Sequence, residues 1–270
     1  MARQPLVTLL TDFGTADPYV AAMKGVILRA CPLVTIVDIS HDVPPHDITA
    51  AALVLAQAAP YFPPGTLHVV VVDPTVGTDR RILAGRFGAQ VFLFPDNGVI
   101  TFVAETMPMQ VLTIVRAAET PSASVSMTFH GRDIFAPLAA QILNGLDITR
   151  LGPQPSTYRT LDLPAPVDQG DRIVGKVIYA DRFGNLVSNI AAQAVQRRWM
   201  DAGQLAVSCA GRDVGPIRGT YAQAAEGAVL ALFNSMGLLE VAVNRGSAAQ
   251  RLAAGVGSEV IVTEDPRERL

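Results

Sequence analysis

The sequence predicts an α/β N-terminal domain with a mostly parallel central sheet, followed by a smaller C-terminal antiparallel β-barrel domain. Three observations carry this reading. Short apolar runs at 6–10, 34–39 and 67–72 show little alternation, as strands covered on both faces do. Stretches with apolar residues at helical spacing separate them, the order of a layered α/β domain. Beyond residue 170 the chain turns to short strand-like runs broken by Gly- and Asn-containing turns, which fits a small barrel or sandwich. The predicted division is an N-terminal domain over 1–155, a linker over 156–170 and a C-terminal domain over 171–270.

The elements follow in order. Residues 6–10 form a strand ending in Thr11-Asp12-Phe13-Gly14. Val20, Met23, Ile27 and Ala30 place a helix over 17–30. A strand at 34–39 precedes an alanine-rich helix over 47–59, which Pro60 ends. The strand at 67–72 is followed by shorter ones at 82–87, 90–94 and 110–115, and then by a helix over 131–143. Segment 151–170 holds four prolines and little periodicity, as an ordered linker does. Strands are then expected at 172–180, 186–190, 204–209, 228–233, 238–243 and 258–263, with short helices near 191–199 and 247–254.

Composition narrows the function classes. Of 270 residues, 50% are hydrophobic and 17% charged, which excludes a disordered chain. The formal net charge is −3 and no basic stripe appears beyond Arg197-Arg198, so no nucleic-acid partner is expected. Two cysteines are too few for a disulfide framework and point to a reducing compartment. The apolar stretches near 50–59 and 227–233 fall short of the ~20 residues a membrane span needs. The start lacks the pattern of a signal peptide, so the expected location is the cytoplasm, with no membrane partner.

Polar residues gather where strands end, which is where open α/β sheets bind ligands. The first strand delivers Asp12; the second delivers Asp38, Ser40, His41 and Asp42; the third delivers Asp73, Thr75, Gly77, Thr78 and Arg80. Pro95-Asp96-Asn97-Gly98 and Thr128-Phe129-His130-Gly131-Arg132-Asp133 follow. Taken singly, each has a structural reading: Asp12 and Asp38 as turn or capping residues, Arg80 and Arg81 as solvated charges, His130 as a cap or a core histidine. The set as a whole points to a small cationic or hydroxyl-rich ligand. Dinucleotide, P-loop, GxSxG and HExxH motifs are missing. A metal site from Asp12, Asp73 and His130 has no diagnostic spacing.

These stretches resemble the S-adenosyl-L-methionine (SAM) hydrolase family, the SAM hydroxide adenosyltransferases related to fluorinase and chlorinase. The matching segments are Thr11-Asp12-Phe13-Gly14 with Asp17 and Tyr19, Val37-Asp38-Ile39-Ser40-His41, Asp73 through Arg81, Pro95-Asp96-Asn97-Gly98, and Thr128 through Pro137. In the C-terminal half they are Asp181-Arg182-Phe183-Gly184-Asn185, Asn234-Ser235 with Gly237, Leu239-Glu240-Val241-Ala242, and Asn244 through Ala248.

The resemblance implies a homotrimer with the ligand between one subunit's N-domain and its neighbour's C-domain. It implies hydrolysis of SAM to adenosine and L-methionine, with SAM as substrate and neither cofactor nor metal. By motif, the catalytic set is Asp73, Arg80 and His130. Asp12 is implied at the ribose, with Thr75 and Val76 on the wall beside it, and Phe129 against the adenosine, with His46 as a candidate for its other face. Gly131 belongs to the substrate loop. Asp17, Asp181 and Ser235 are implied at the methionine, and Asn185, with backbone near Asn244 and Arg245, at the adenine.

Halogenases of the family carry Tyr in place of Asp73 and Tyr-Ser in place of His130-Gly131, so the pattern here favours hydrolysis. Thr75, Met236, Val243 and Ser188 depart from family residues. The competing readings are a SAM-dependent 5′-halogenase, a non-catalytic adenosine or SAM binding module, and a metal-dependent hydrolase. The leaving thioether needs no acid, so the tasks are orienting a water and taking its proton. His130 is the natural acceptor, because imidazole titrates near neutrality. Asp73 is expected to orient it or to accept the proton itself, and Arg80 to hold Asp73 and stabilise hydroxide charge.

Overall fold

The computed structural model describes residues 4–116, 125–199 and 205–264. The chain forms two compact units, one up to Leu161 and one from Asp162 onward.

The first unit is built on a six-stranded sheet. Its elements are β1 (Leu6–Thr11), α1 (Tyr19–Ala30), β2 (Thr35–Ser40), α2 (Ile48–Ala58), β3 (Leu67–Val71), β4 (Ile82–Phe87), β5 (Gln90–Pro95), α3 (Thr101–Thr106), β6 (Met109–Ile114) and α4 (Ala136–Leu143). The strand order is β2-β1-β3-β5-β4-β6. β1 pairs in parallel with β2 and β3, and β3 with β5, whereas β4 is antiparallel to both β5 and β6. The sheet is therefore mixed rather than mostly parallel. The reason lies at residues 88–89: two residues, with Gly88 at φ +54°, close a hairpin and leave no room for a crossover.

Side chains alternate across β1. Val7 and Leu9 join Met23 and Ile27 of α1 and Leu138 and Ala139 of α4 in the main core. Thr8 faces the other way, where its hydroxyl lies 2.7 Å from His68 Nδ1. His68 Nε2 reaches Gln90 at 3.2 Å, and Gln90 donates to the carbonyls of Ala59 and Phe62 just beyond α2. This network satisfies a fully buried imidazole with neutral partners, and burial lowers its pKa to about 4. Asp47 caps α2 by accepting from the Ala50 amide at 2.9 Å. The helix α3 was not expected from sequence; six residues give too little periodicity to read.

The second unit is a closed barrel. Its strands are β7 (Val167–Asp168), β8 (Arg172–Ala180), β9 (Leu186–Ala191), β10 (Leu205–Cys209), β11 (Arg212–Arg218), β12 (Val229–Phe233), β13 (Leu238–Val243) and β14 (Glu259–Glu264), with α5 (Ala192–Arg198) and α6 (Ala248–Leu252). The order runs β14-β10-β11-β12-β13-β9-β8, and β14 pairs with β8 to close seven strands; β7 lies outside on β8. Leu239, Val241 and Val243 point into the core with Leu186, Ile190, Val207 and Val260.

The barrel is antiparallel except at β11–β12, which is parallel. The return from β11 to β12 passes through a 3-10 turn at Tyr221–Gln223, long enough to reverse direction. β11 was not anticipated because Gly215-Pro216 interrupts its pattern, and the barrel accommodates it with a register shift opposite Val207. The first residue of the strand expected at 204–209 lies outside the described residues. No described helix is long and apolar enough to cross a membrane.

Candidate active site

The parallel pairing of β1 and β3 places Thr11 beside Val71. Asp12, which follows β1, and Asp73, two residues past the end of β3, therefore emerge at the same carboxyl edge of the sheet. Both line a cavity of about 280 Å³, together with Phe13, Tyr19, Val71, Val76, Phe129, His130 and Gly131.

Asp73 is held on three sides. Its Oδ2 accepts from Arg80 Nε at 2.5 Å. Its Oδ1 accepts from the Thr75 hydroxyl at 3.0 Å and the Thr75 amide at 3.3 Å. Thr75, the departure noted above, thus gives the carboxylate a side-chain donor that glycine lacks. The loop then folds back through hydrogen bonds from the Val76 amide to the Asp73 carbonyl and from the Thr78 amide to the Thr75 carbonyl. Gly77 sits at φ +82°, and a Cβ there would lie 2.7 Å from the Met127 carbonyl oxygen. This fold returns Arg80 beneath Asp73, with side-chain exposures of 6% and 3%.

Arg80 bridges to the third member. Its Nη2 lies 2.7 Å from His130 Nδ1. A guanidinium has donors only, so Nδ1 is the acceptor and the proton of the neutral imidazole sits on Nε2. Burial lowers the His130 pKa, and the Arg80 charge lowers it further, against opposing contributions from Asp73 and Asp133. Arg80 is not among the residues lining the cavity; Asp73 and His130 are.

His130 precedes a π-helical turn, Gly131–Phe135, that leads into α4. A Cβ on Gly131 would lie 3.0 Å from Met23 Sδ and 3.3 Å from Phe13 Cε2, so a larger residue here would have to displace these side chains by a few tenths of an ångström. Asp12 Oδ2 accepts from the His46 backbone amide at 2.9 Å, and His46 also lines the cavity. Thr11 Oγ1 lies 2.8 Å from His41 Nδ1, which ties the Asp12 segment to the end of β2.

Other expected residues lie elsewhere. Asp17 is exposed and does not line this cavity. In the second unit Asp181 and Asn185 share one turn. Asp181 Oδ1 accepts from the Phe183 and Asn185 amides, and Asn185 Nδ2 donates to Asp181 Oδ2, all at 2.9 Å. Ser235 is exposed on the turn before β13, which Asn234 Oδ1 fixes by accepting from the Met236 and Leu238 amides. Asn244 Nδ2 donates to the Ala224 carbonyl at 2.8 Å. Arg245, at φ +56°, pairs with Glu226 at 2.9 Å on the surface.

Sequence reasoning did not assign Phe13 and Tyr19 to the site, although the structure sets both on the cavity wall. The available signal was two aromatics flanking an acidic strand end in a chain with 6% aromatic residues.

The fold and this site define a two-unit protein: an α/β unit carrying an acid–guanidinium–imidazole set at its strand ends, and a seven-stranded barrel. The chain belongs to the SAM hydroxide adenosyltransferase family. The family's N-terminal domain model matches residues 7–152 and its C-terminal domain model residues 175–261.

A protein of Thermus thermophilus named (R)-S-adenosyl-L-methionine hydrolase is 38% identical, the match covering 94% of this chain and 98% of that protein. A fluorinase of Nocardia brasiliensis is 28% identical over 96% of this chain and 98% of that protein. A solved structure of an uncharacterized conserved protein from Thermotoga maritima superposes with a TM-score of 0.88 at 35% identity, covering 96% of this chain and all of that one.

Proposed function

We propose that this protein hydrolyses S-adenosyl-L-methionine to adenosine and L-methionine by in-line attack of water on ribose C5′. The observation that carries the reading is Arg80, which joins Asp73 and His130 from behind while both line one cavity. Relatives named for this activity, at 38% identity over nearly the whole chain, support it.

The chemistry is a displacement. The water oxygen forms a bond to C5′ as the C5′–S bond breaks, and the electron pair leaves on a neutral thioether. No general acid or Lewis acid is required, which supports a reaction without cofactor or metal. The hydrogen bond from Arg80 occupies Nδ1 of His130, so the neutral imidazole meets the cavity with an Nε2–H donor. We assign His130 to hold the water through one lone pair, leaving the other to attack. The proton goes to Asp73, whose charge Arg80 sustains. A positioned base contributes about 10²–10⁴-fold, and orientation in a near-attack pose ~7–11 kcal/mol. Asp12 accepts from the ribose hydroxyls, and Phe129 packs against the nucleoside.

A cavity of about 280 Å³ lies at the lower edge of the ~300–1,000 Å³ usual for small-molecule sites. A small cavity fits a composite site, and we infer a homotrimer in which a neighbouring copy supplies Asp181, Asn185, Ser235 and the backbone near Asn244 and Arg245; the two free, buried cysteines fit a cytoplasmic location. Asp17 belongs to the methionine end of that composite site.

The test is incubation with SAM in ¹⁸O-labelled water, with and without halide and chelator. Labelled adenosine under every condition is expected. A 5′-halogenated nucleoside, loss of turnover with chelator, or unreacted SAM overturns the reading.

A further inference from the structure

Three aromatic rings wall the cavity of the first unit. Phe13, Tyr19 and Phe129 line it beside the carboxylates of Asp12 and Asp73. Their centroids are 5.6 Å apart for Phe13–Tyr19, 5.1 Å for Tyr19–Phe129 and 6.1 Å for Phe13–Phe129. The ring planes are inclined by 52°, 86° and 77°, so the rings meet tilted or edge to face and do not stack. Core packing accounts for only part of the group: Phe13 and Phe129 rest on the main core but stay half-buried, and Tyr19 is 44% exposed. One of the rings already meets a cation, since the Arg132 guanidinium carbon lies 4.9 Å from the Phe129 centroid. A ring face attracts a cation within about 6 Å of its centre, more strongly where water is excluded.

We propose that Phe13, Tyr19 and Phe129 form an aromatic cage that selects a positively charged sulfonium over a neutral thioether of the same shape. The proposal rests on the sulfonium substrate argued above. It gives the cage a defined place in the reaction. The positive charge on sulfur fades as the C5′–S bond breaks, so the cage grips the substrate more tightly than the transition state or the products. Its contribution is to substrate binding and product release, and it adds nothing to the chemical step.

The experiment compares SAM with S-adenosylhomocysteine, its neutral counterpart lacking the sulfonium methyl, on the wild type and on Tyr19→Leu, Tyr19→Phe and Phe13→Leu. KM is read for SAM and Ki for S-adenosylhomocysteine. If the wild type does not turn SAM over, calorimetric Kd values replace both, so the cage is judged independently of the reaction. Tyr19→Leu is expected to weaken SAM by about 3–30-fold, with kcat unchanged or slightly raised, and S-adenosylhomocysteine by less than about twofold. Tyr19→Phe keeps a ring and is expected to retain wild-type SAM affinity.

Fluorinated phenylalanines at position 19 keep the shape while draining the ring face. They are expected to weaken SAM stepwise and leave S-adenosylhomocysteine unchanged. Equal losses for the two ligands, unaltered SAM affinity in Tyr19→Leu, or no trend with fluorination overturns the proposal.

Discussion

Arg80 and Arg81 are neighbours in sequence, and each pairs with an aspartate whose side chain is 3% exposed. What surrounds the two pairs differs. Arg80 directs a second donor, Nη2, to His130 Nδ1, and both its partners line the cavity. Arg81 donates through Nε to Asp96 at 2.8 Å and through Nη2 to the Thr157 carbonyl, also at 2.8 Å. Asp96 in turn accepts from the Arg159 amide at 2.7 Å. One pair ends on groups that line a cavity; the other ends on backbone and fastens the last segment of the first unit to its sheet. A buried ion pair is thus no indicator of catalysis until its third partner is known.

The sharpest way to break the comparison is Arg80→Ala. It removes the bridge between Asp73 and His130, and kcat is expected to fall by about 10²–10⁴-fold. Arg80→Lys should not restore it, because one ammonium cannot reproduce the two directed N–H groups of a guanidinium. Steady-state kinetics with SAM check both, and near-normal turnover in Arg80→Ala would remove the trio from the mechanism.

Arg81→Ala is the counterpart. It strands the buried Asp96 carboxylate and is expected to cost about 3 kcal/mol of stability, with kcat within about threefold of wild type. Urea denaturation measures the first and turnover the second.

The His68 cluster on the opposite face of the sheet supplies a control without ion pairs. Its folded pKa of about 4 lies below the ordinary 6.5. Below pH 6.5 the unfolded chain takes up a proton that the folded protein refuses, so stability is full above that value and declines as pH falls toward 4. The loss over this window is about 3 kcal/mol. His68→Gln should lower stability at pH 7 but flatten this acid limb, as denaturation at pH 7 and 4.5 will tell.

The activity profile should be flatter than an ordinary histidine would give. Burial first, and then Arg80, lower the His130 pKa from 6.5, and the working form is the neutral imidazole accepting from Arg80. Activity is therefore expected to change by less than about twofold between pH 6.5 and 8 and to fall only at lower pH. A midpoint above 6.5 in kcat/KM against pH would contradict the assigned tautomer.

Much of this was legible in particular residues. The run at 67–71, apolar except for His68, marked a strand covered on both faces, and it is buried throughout. The acidic residues after β1 and β3 marked the edge where the cavity lies, because parallel neighbours end on the same side. Reversal of β4, the parallel β11–β12 contact and the strand through Gly215-Pro216 were not legible. Each depends on how connections close, and a hydrophobic pattern does not record strand direction.

The sequence by itself determined the order of the longer elements, an α/β part followed by a β part, and the inventory of polar residues at strand ends, since periodicity and turn chemistry are local properties. Only the tertiary structure decided which arginine serves the cavity, which nitrogen of His130 carries the proton, and that Phe13, Tyr19 and Phe129 meet. Those outcomes rest on contacts between side chains as distant as Arg80 and His130, fifty positions apart in the chain. Such contacts exist only once the β3–β4 loop and the turn before α4 have folded against each other.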